Sequence, residues 1–336
     1  MRGTLRTNER AKRSIRRERA HVCDVTRVPR PGRRNRHLRV PAVPARQFAS
    51  GDADKPRDAT TRDDASSPGM ASAVWDAFLL IDPLLPTGGF AHSLGLEPTL
   101  LSGALADDGD VRTVGAFVED VGQNALDAQV PFVLAARECA ACEDPARGLE
   151  RWRRVNAECR ATCASNGVNR RASESMGSAL LRATTTAFGG EDADNGAAAF
   201  LAAIRRDSRG KPREAPQQAC VFGAACAAVG FDALTTVRAF VYLATRDACS
   251  AATRLNASGP LETVAALRRV SIAAEPACAR AVAAYESHLR ARVSRADDDD
   301  DDDVFISRVS RAATSAPVAD LAQGAHDDSA ARLFNS

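Results

Sequence analysis

Apolar positions along this 336-residue chain recur at helical spacing, and nowhere do they alternate over a strand's length. The clearest run extends from Ala233 to about Ala257, where Leu234, Val237, Val241, Ala244, Ala248, Ala251 and Leu255 define one face. Asp232 precedes it as a helix cap, and Gly259-Pro260 stops it. Asp110 caps a second run, in which Val111, Val114, Val118, Val121 and Ala125 share a face. Pro131 suits the first turn of a further helix. Helical pattern then continues through Trp152 to about Cys163, from Ala172 to Thr184, and around Phe200 to Arg206. Val221 to Gly230 is apolar nearly all round, which predicts a helix buried on every side. Breakers separate these units: an acidic, Gly-containing loop between Gly189 and Gly196, and Arg209-Gly210-Lys211-Pro212. The pattern leans helical throughout, and at this length the chain could hold one large domain or two smaller ones.

The first part of the helical region is organised around residues 81–97, I-D-P-L-L-P-T-G-G-F-A-H-S-L-G-L-E. A short helix from Val74 to Ile81 must end at Asp82-Pro83, because the residue before proline avoids helical dihedrals. Pro86-Thr87-Gly88-Gly89 is a tight turn, and a new helix is expected from about Ala91 to Ser102-Gly103. The two glycines lack the spacing and the terminal Lys-Ser/Thr of a P-loop, and no strand precedes them, so they do not cradle phosphate.

Composition agrees with helix: Ala and Arg are abundant and aromatics make up 5%. A net charge of +2 implies no global attraction to nucleic acid or membrane, yet the charge is segregated. Residues 1–69 are Arg-rich, Pro-interrupted and without apolar period, so they are expected to be a disordered basic extension. Two readings of it stand side by side, an organellar transit peptide and a translation start at Met70; nucleic-acid binding lacks the interleaved aromatics that stack bases. Near the other end, Asp297 to Asp303 are seven consecutive aspartates, expected to be a solvated, flexible insertion. No stretch has the length and apolarity of a membrane-spanning helix, and nine scattered cysteines suit a reducing compartment.

Several sequence blocks closely resemble the urease accessory protein F family, UreF. They are L-P-T-G-G-F-A-H-S-L-G-L-E at residues 85–97, R-A-S-E-S-M-G at 171–177, and Phe222-Gly223 with its small-residue run. The series Tyr242, Arg246, Ser250-Ala251-Ala252, Arg254-Leu255-Asn256 and Gly259-Pro260 continues the match, as does a tail with Pro317, Asp320, His326 and Arg332-Leu333-Phe334. The resemblance spans roughly Trp75 to Ser336. Relatives usually carry a histidine before the Phe-Gly helix, where this chain has Gln217-Gln218, and apolar or aromatic residues where it has Ser329-Ala330.

What the resemblance implies is an all-α fold, a single helical-bundle domain preceded by the disordered basic extension. It would act as a cytoplasmic, dimeric, non-catalytic scaffold for urease maturation, organellar if residues 1–69 are a transit peptide. It would stand between UreD/UreH and the GTPase UreG while nickel is delivered to apo-urease. Nickel would be handled by the complex and not bound as a cofactor of this chain. On this reading Tyr242, Arg246 and Arg254 face UreG. Pro317, Asp320, His326, Leu333 and Phe334, in a docking tail at residues 316–336, face UreD/UreH. Thr87, Gly88, Gly89 and His92 form a structural or interface loop. Two alternatives accompany it. One is a GTPase-activating role toward UreG, with Arg246 or Arg254 as an arginine finger. The other is a metal-binding chaperone using Cys139, Cys142, Cys159 and Cys163, whose spacing approximates paired zinc thiols; the blander reading of those four is buried packing among alanines. No Ser-His-Asp arrangement or nucleotide loop is legible, so an enzyme is not expected.

Overall fold

A computed structural model describes residues 68–102, 111–188, 196–210, 214–293, 301–328 and 332–335. All of them lie in one compact unit, Asp63–Ser336. Nearly all of the Arg-rich extension, the Asp110 cap and Ser329-Ala330 lie outside the described residues. Among the described residues every regular element is a helix, as the hydrophobic period required, and none is long and apolar enough to cross a membrane.

In chain order these are α1 (Pro68–Ile81), α2 (Leu96–Leu101), α3 (Val111–Asn124), α4 (Val130–Ala140), α5 (Pro145–Thr162), α6 (Gly167–Ala187), α7 (Gly196–Asp207), α8 (Gln218–Ala228), α9 (Ala233–Arg254), α10 (Pro260–Val293), α11 (Asp301–Ile306) and α12 (Pro317–Gly324). A π-turn at Ala125–Gln129 joins α3 to α4, and Pro131 falls in the first turn of α4, where its missing N–H has no intrahelical duty.

The apolar helix α8 is the centre of the bundle. Ala219 through Cys226 are buried without exception, and α4, α6 and α7 pack around them. Gly223 explains how α4 comes so close: a Cβ there would overlap the Val133 carbonyl. Gly177 plays the same part on α6, where a Cβ would overlap the Pro216 carbonyl. Phe222 meets Phe240 of α9 with ring centroids 5.4 Å apart, which extends the core from α8 to α9. A smaller cluster around Leu96, Phe117, Val118, Ala248, Val270 and Phe334 closes the other end of α9.

Three elements depart from the sequence pattern. The helix expected from Ala91 begins only at Leu96, because Leu94 and Gly95 take positive φ values of 54° and 90°. Residues 89–91 form a single 3₁₀ turn instead. Helix α10 had no counterpart in the periodicity, and it runs for 34 residues through Pro276. That proline removes one helical donor, so the continuation rests on packing against α9 and α3 rather than on propensity.

The third departure concerns the aspartate run. Its last three residues open α11. Asp302 accepts from Arg151 Nε at 2.6 Å and from Arg147 at 3.1 Å, and Asp303 pairs with Arg154. Val304 and Phe305 behind them are 3% and 4% exposed. The end of the run is therefore held to α5 by arginines and an apolar foot, with Asp302 half-buried and Asp303 exposed; residues 297–300 lie outside the described residues.

A candidate docking site formed by the glycine motif, α9 and the tail

Residues 88–97 lie against the last turns of α9, and the C-terminal tail folds over both. Gly88 has φ 82°, the left-handed region that favours glycine, and turns the chain into the 3₁₀ segment. Gly89 is buried, and a Cβ on it would overlap the Asp247 carboxylate. Asp247 is gripped by its neighbour Arg246, whose Nη2 lies 2.8 Å from Asp247 Oδ1 and whose Nη1 donates to the Ile81 carbonyl at 2.7 Å. Burial raises the Asp247 pKa against the opposing pull of that guanidinium. One turn pair further on, Arg254 donates to the Phe90 carbonyl. Its guanidinium also lies over two rings, 4.4 Å from the Phe334 centroid and 5.9 Å from that of Phe90.

Glu97 is the centre of this arrangement. Only 5% exposed, it accepts from the Leu333 backbone N–H at 2.6 Å through one oxygen and from Phe334 at 3.1 Å through the other. Two backbone donors on one carboxylate solve the problem of burying that charge. The tail carries a second hold: His326, fully buried, lies with Nε2 3.1 Å from the Phe334 carbonyl. A third is the Asn335 N–H, which donates to Ala91 O at 2.8 Å. His326 Nδ1 stands 4.0 Å from Glu97 Oε2 and has no hydrogen-bond partner. His92 is buried beside them; burial first and the His326 imidazole second push its pKa down.

Helix α12 is fastened from the other side. Asn166 caps α6 by accepting from Asn169 N at 2.9 Å, and its amide donates to Asp320 Oδ1 at 2.7 Å and to Gln323 Oε1 at 3.2 Å. Gly95 allows the close approach: a Cβ there would stand 2.7 Å from the Ala319 carbonyl.

The residues assigned from sequence to two separate partner surfaces thus meet in one structure. Arg254 of the first set stacks on Phe334 of the second. Arg246, Arg254, Asp320, His326 and Phe334 spend their chemistry inside the chain, positioning the loop and the tail. Each of the two α9 guanidiniums is bonded to a backbone carbonyl of residues 81–90, Arg246 half-buried and Arg254 exposed. Tyr242, Pro317 and Leu333 are exposed, Tyr242 at 38%. Thr87 is half-buried. Sequence reasoning missed Glu97, Asp247 and Asn166. Glu97 closes the glycine motif and was legible as a motif residue, but nothing local says that an acid there receives the tail.

The four candidate cysteines do not form a site. Cys139 and Cys159 are buried, Cys142 and Cys163 half-buried. The Cys159 thiol hydrogen-bonds that of Cys220 on α8 and its pKa is raised. Burial also pushes Cys139 far up and Cys163 up to about 12. Among the described residues no three His, Cys, Asp or Glu side chains group as metal ligands.

The molecule defined so far is an all-α bundle whose glycine motif and long helix clasp their own C-terminal tail. A family model for UreF matches residues 109–271. "Urease accessory protein F" of Arabidopsis thaliana is 33% identical over 214 residues, covering 64% of this chain and 82% of that protein. The proteins of the same name from Oryza sativa subsp. indica and subsp. japonica are each 36% identical over 189 residues, 56% of this chain and 66% of theirs. The chain belongs to the urease accessory protein F family.

Proposed function

We propose that this protein acts in urease maturation as a non-catalytic scaffold that docks UreD/UreH through its tail region and UreG through α9. In this reading it makes and breaks no bond; as a homodimer it positions a nickel-carrying, GTP-loaded partner against apo-urease. The observation that carries the proposal is the rim of the clasp. Phe90, Val318, Leu321 and Leu333 are 55–76% exposed, and they project from segments that Glu97, Arg254, His326 and Asn166 immobilise. Large apolar side chains exposed on a rigid backbone lose little conformational entropy on binding, which is what a docking surface needs.

The division of labour differs from the residue sets read from sequence. Tyr242, Pro317, Val318, Leu321 and Leu333 make contact, while Arg246, Arg254, Asp320, His326 and Phe334 hold the contact residues in place. The test is co-purification of the full chain with UreD/UreH and UreG. V318D/L321D is expected to lose UreD/UreH and keep UreG, and Tyr242→Ala to weaken UreG. Unchanged binding of UreD/UreH by the double variant would refute the assignment. Single-turnover GTP hydrolysis by UreG, with and without the chain, separates scaffolding from GTPase regulation: a scaffold leaves the hydrolysis rate as it is.

A further inference from the structure

Helix α5 carries a row of cations at i, i+4 and i+7: Arg147, Arg151 and Arg154. The chain's own aspartates lie on that row. Asp302 takes Arg147 and Arg151, and Asp303 takes Arg154. From the geometry we infer that this arginine row is a docking surface for an acidic segment of a partner protein, and that Asp302 and Asp303 are a tethered competitor occupying it. The inference is independent of which partners meet the tail and α9.

Three observations support it. Carboxylates demonstrably fit the row, since two successive aspartates satisfy three guanidiniums at once. The covering segment is shallowest at Asp303 and deepest at its apolar residues. Asp303 has 68% of its side chain exposed, whereas Val304 and Phe305 are buried and Arg151 lies over the Phe305 ring at 4.8 Å. The foot therefore holds the segment in place while Asp303 stands in water, where an ion pair is weak and exchangeable; Asp302, with 22% of its side chain exposed, is shared between two arginines. Lastly, the other α5 arginines point their charge elsewhere: Arg153 binds Asp207 and Glu150, and Arg160 binds Glu174. Only the row under the arm meets carboxylates of the low-complexity run.

A tethered arm acts at high effective concentration, so a single acid cannot displace it but a cluster of acids can. Beside the row α5 offers no exposed aromatic side chain on which a single-stranded base could stack: Trp152 is buried.

The experiment uses the full chain and a fluorescein-labelled peptide of seven aspartates, read by anisotropy at low and high salt. D302N/D303N is expected to bind the peptide about tenfold more tightly than the unaltered chain, the ratio that three surface ion pairs of about 0.5 kcal/mol each amount to. Adding R147Q/R151Q/R154Q is expected to abolish that gain, and salt to suppress it. D303N alone changes only an exposed side chain and keeps the test valid should the double variant fail to fold; its expected gain is about threefold. Equal affinity of the unaltered and neutralised chains, or a gain that survives loss of the three arginines, overturns the inference. Tighter binding of a single-stranded oligonucleotide than of the peptide would overturn its assignment to an acidic protein segment.

Discussion

At the scale of single residues, the structure turns on one buried carboxylate. Glu97 holds the tail through two backbone N–H groups, and hydrogen bonds to a charged acceptor contribute about 1.5–3 kcal/mol each. Glu97→Gln keeps the shape but withdraws the charge and turns one acceptor into a donor facing N–H groups. Faster amide exchange at Leu333 and Phe334, with α4 and α8 unchanged, is the expected result. The buried His92 makes the fold around the tail sensitive to acid. The His92 pKa is depressed below its ordinary value of 6.5 in the folded chain, so the folded state binds fewer protons than the unfolded one. That contribution to stability is present above about pH 6.5 and is lost as pH falls through the lower folded value. Thermal melts between neutral and mildly acidic pH are expected to show a falling midpoint, and His92→Asn to flatten the dependence.

At the scale of elements, the helices divide by what sustains them. Helix α9 is sustained locally: Asp232 accepts from Thr235 N at 2.6 Å as its cap, and that bond depresses the aspartate pKa. Asp232→Ala should cost about 1 kcal/mol, measured by denaturant unfolding. Helix α8 is sustained by its neighbours, since it has no wet face. Gly223→Ala forces α4 and α8 apart at the Val133 carbonyl, and overpacking of this kind costs about 1–3 kcal/mol. The cysteines belong to this scale because they are packing residues. Cys139 and Cys226 are buried and hard to ionise, so peptide mapping after treatment with a thiol reagent should find both unmodified until the chain is unfolded.

At the scale of the whole molecule, much was legible in the sequence. The helical character followed from period, and the core of α8 fell where the apolar residues placed it. On α9 Val237, Val241, Ala248 and Ala251 are buried as expected, while Leu234, Ala244 and Leu255 are half-buried and Phe240, Thr236 and Thr245 join the core. The candidate site was half legible. The glycine motif, the α9 arginines and the tail stood out as separate strings. Their union was not, because Glu97 and Leu333 lie 236 positions apart and no local pattern encodes such a contact. Arg246 and Arg254 illustrate the point. On a helical wheel they are off the apolar face of α9 and read as surface charges. In the folded chain their guanidiniums bond the Ile81 and Phe90 carbonyls, acceptors at the end of α1 and in the short 3₁₀ turn that have no following helical turn to supply a donor. The aspartate run shows the same limit in reverse: alone it is repelling and solvated, while three arginines brought alongside by α5 neutralise its end.

By itself the sequence determined most of the helices up to α9, much of their buried faces, the turn at Gly88-Gly89 and the family to which the chain belongs. These depend on near neighbours: side-chain period, capping, the dihedral freedom of glycine. Tertiary structure alone decided which polar residues contact a partner and which position those that do. A charged group's role depends on what shares its surroundings, and in this chain the decisive neighbours of Glu97, Arg254 and Asp302 come from 150 or more positions away.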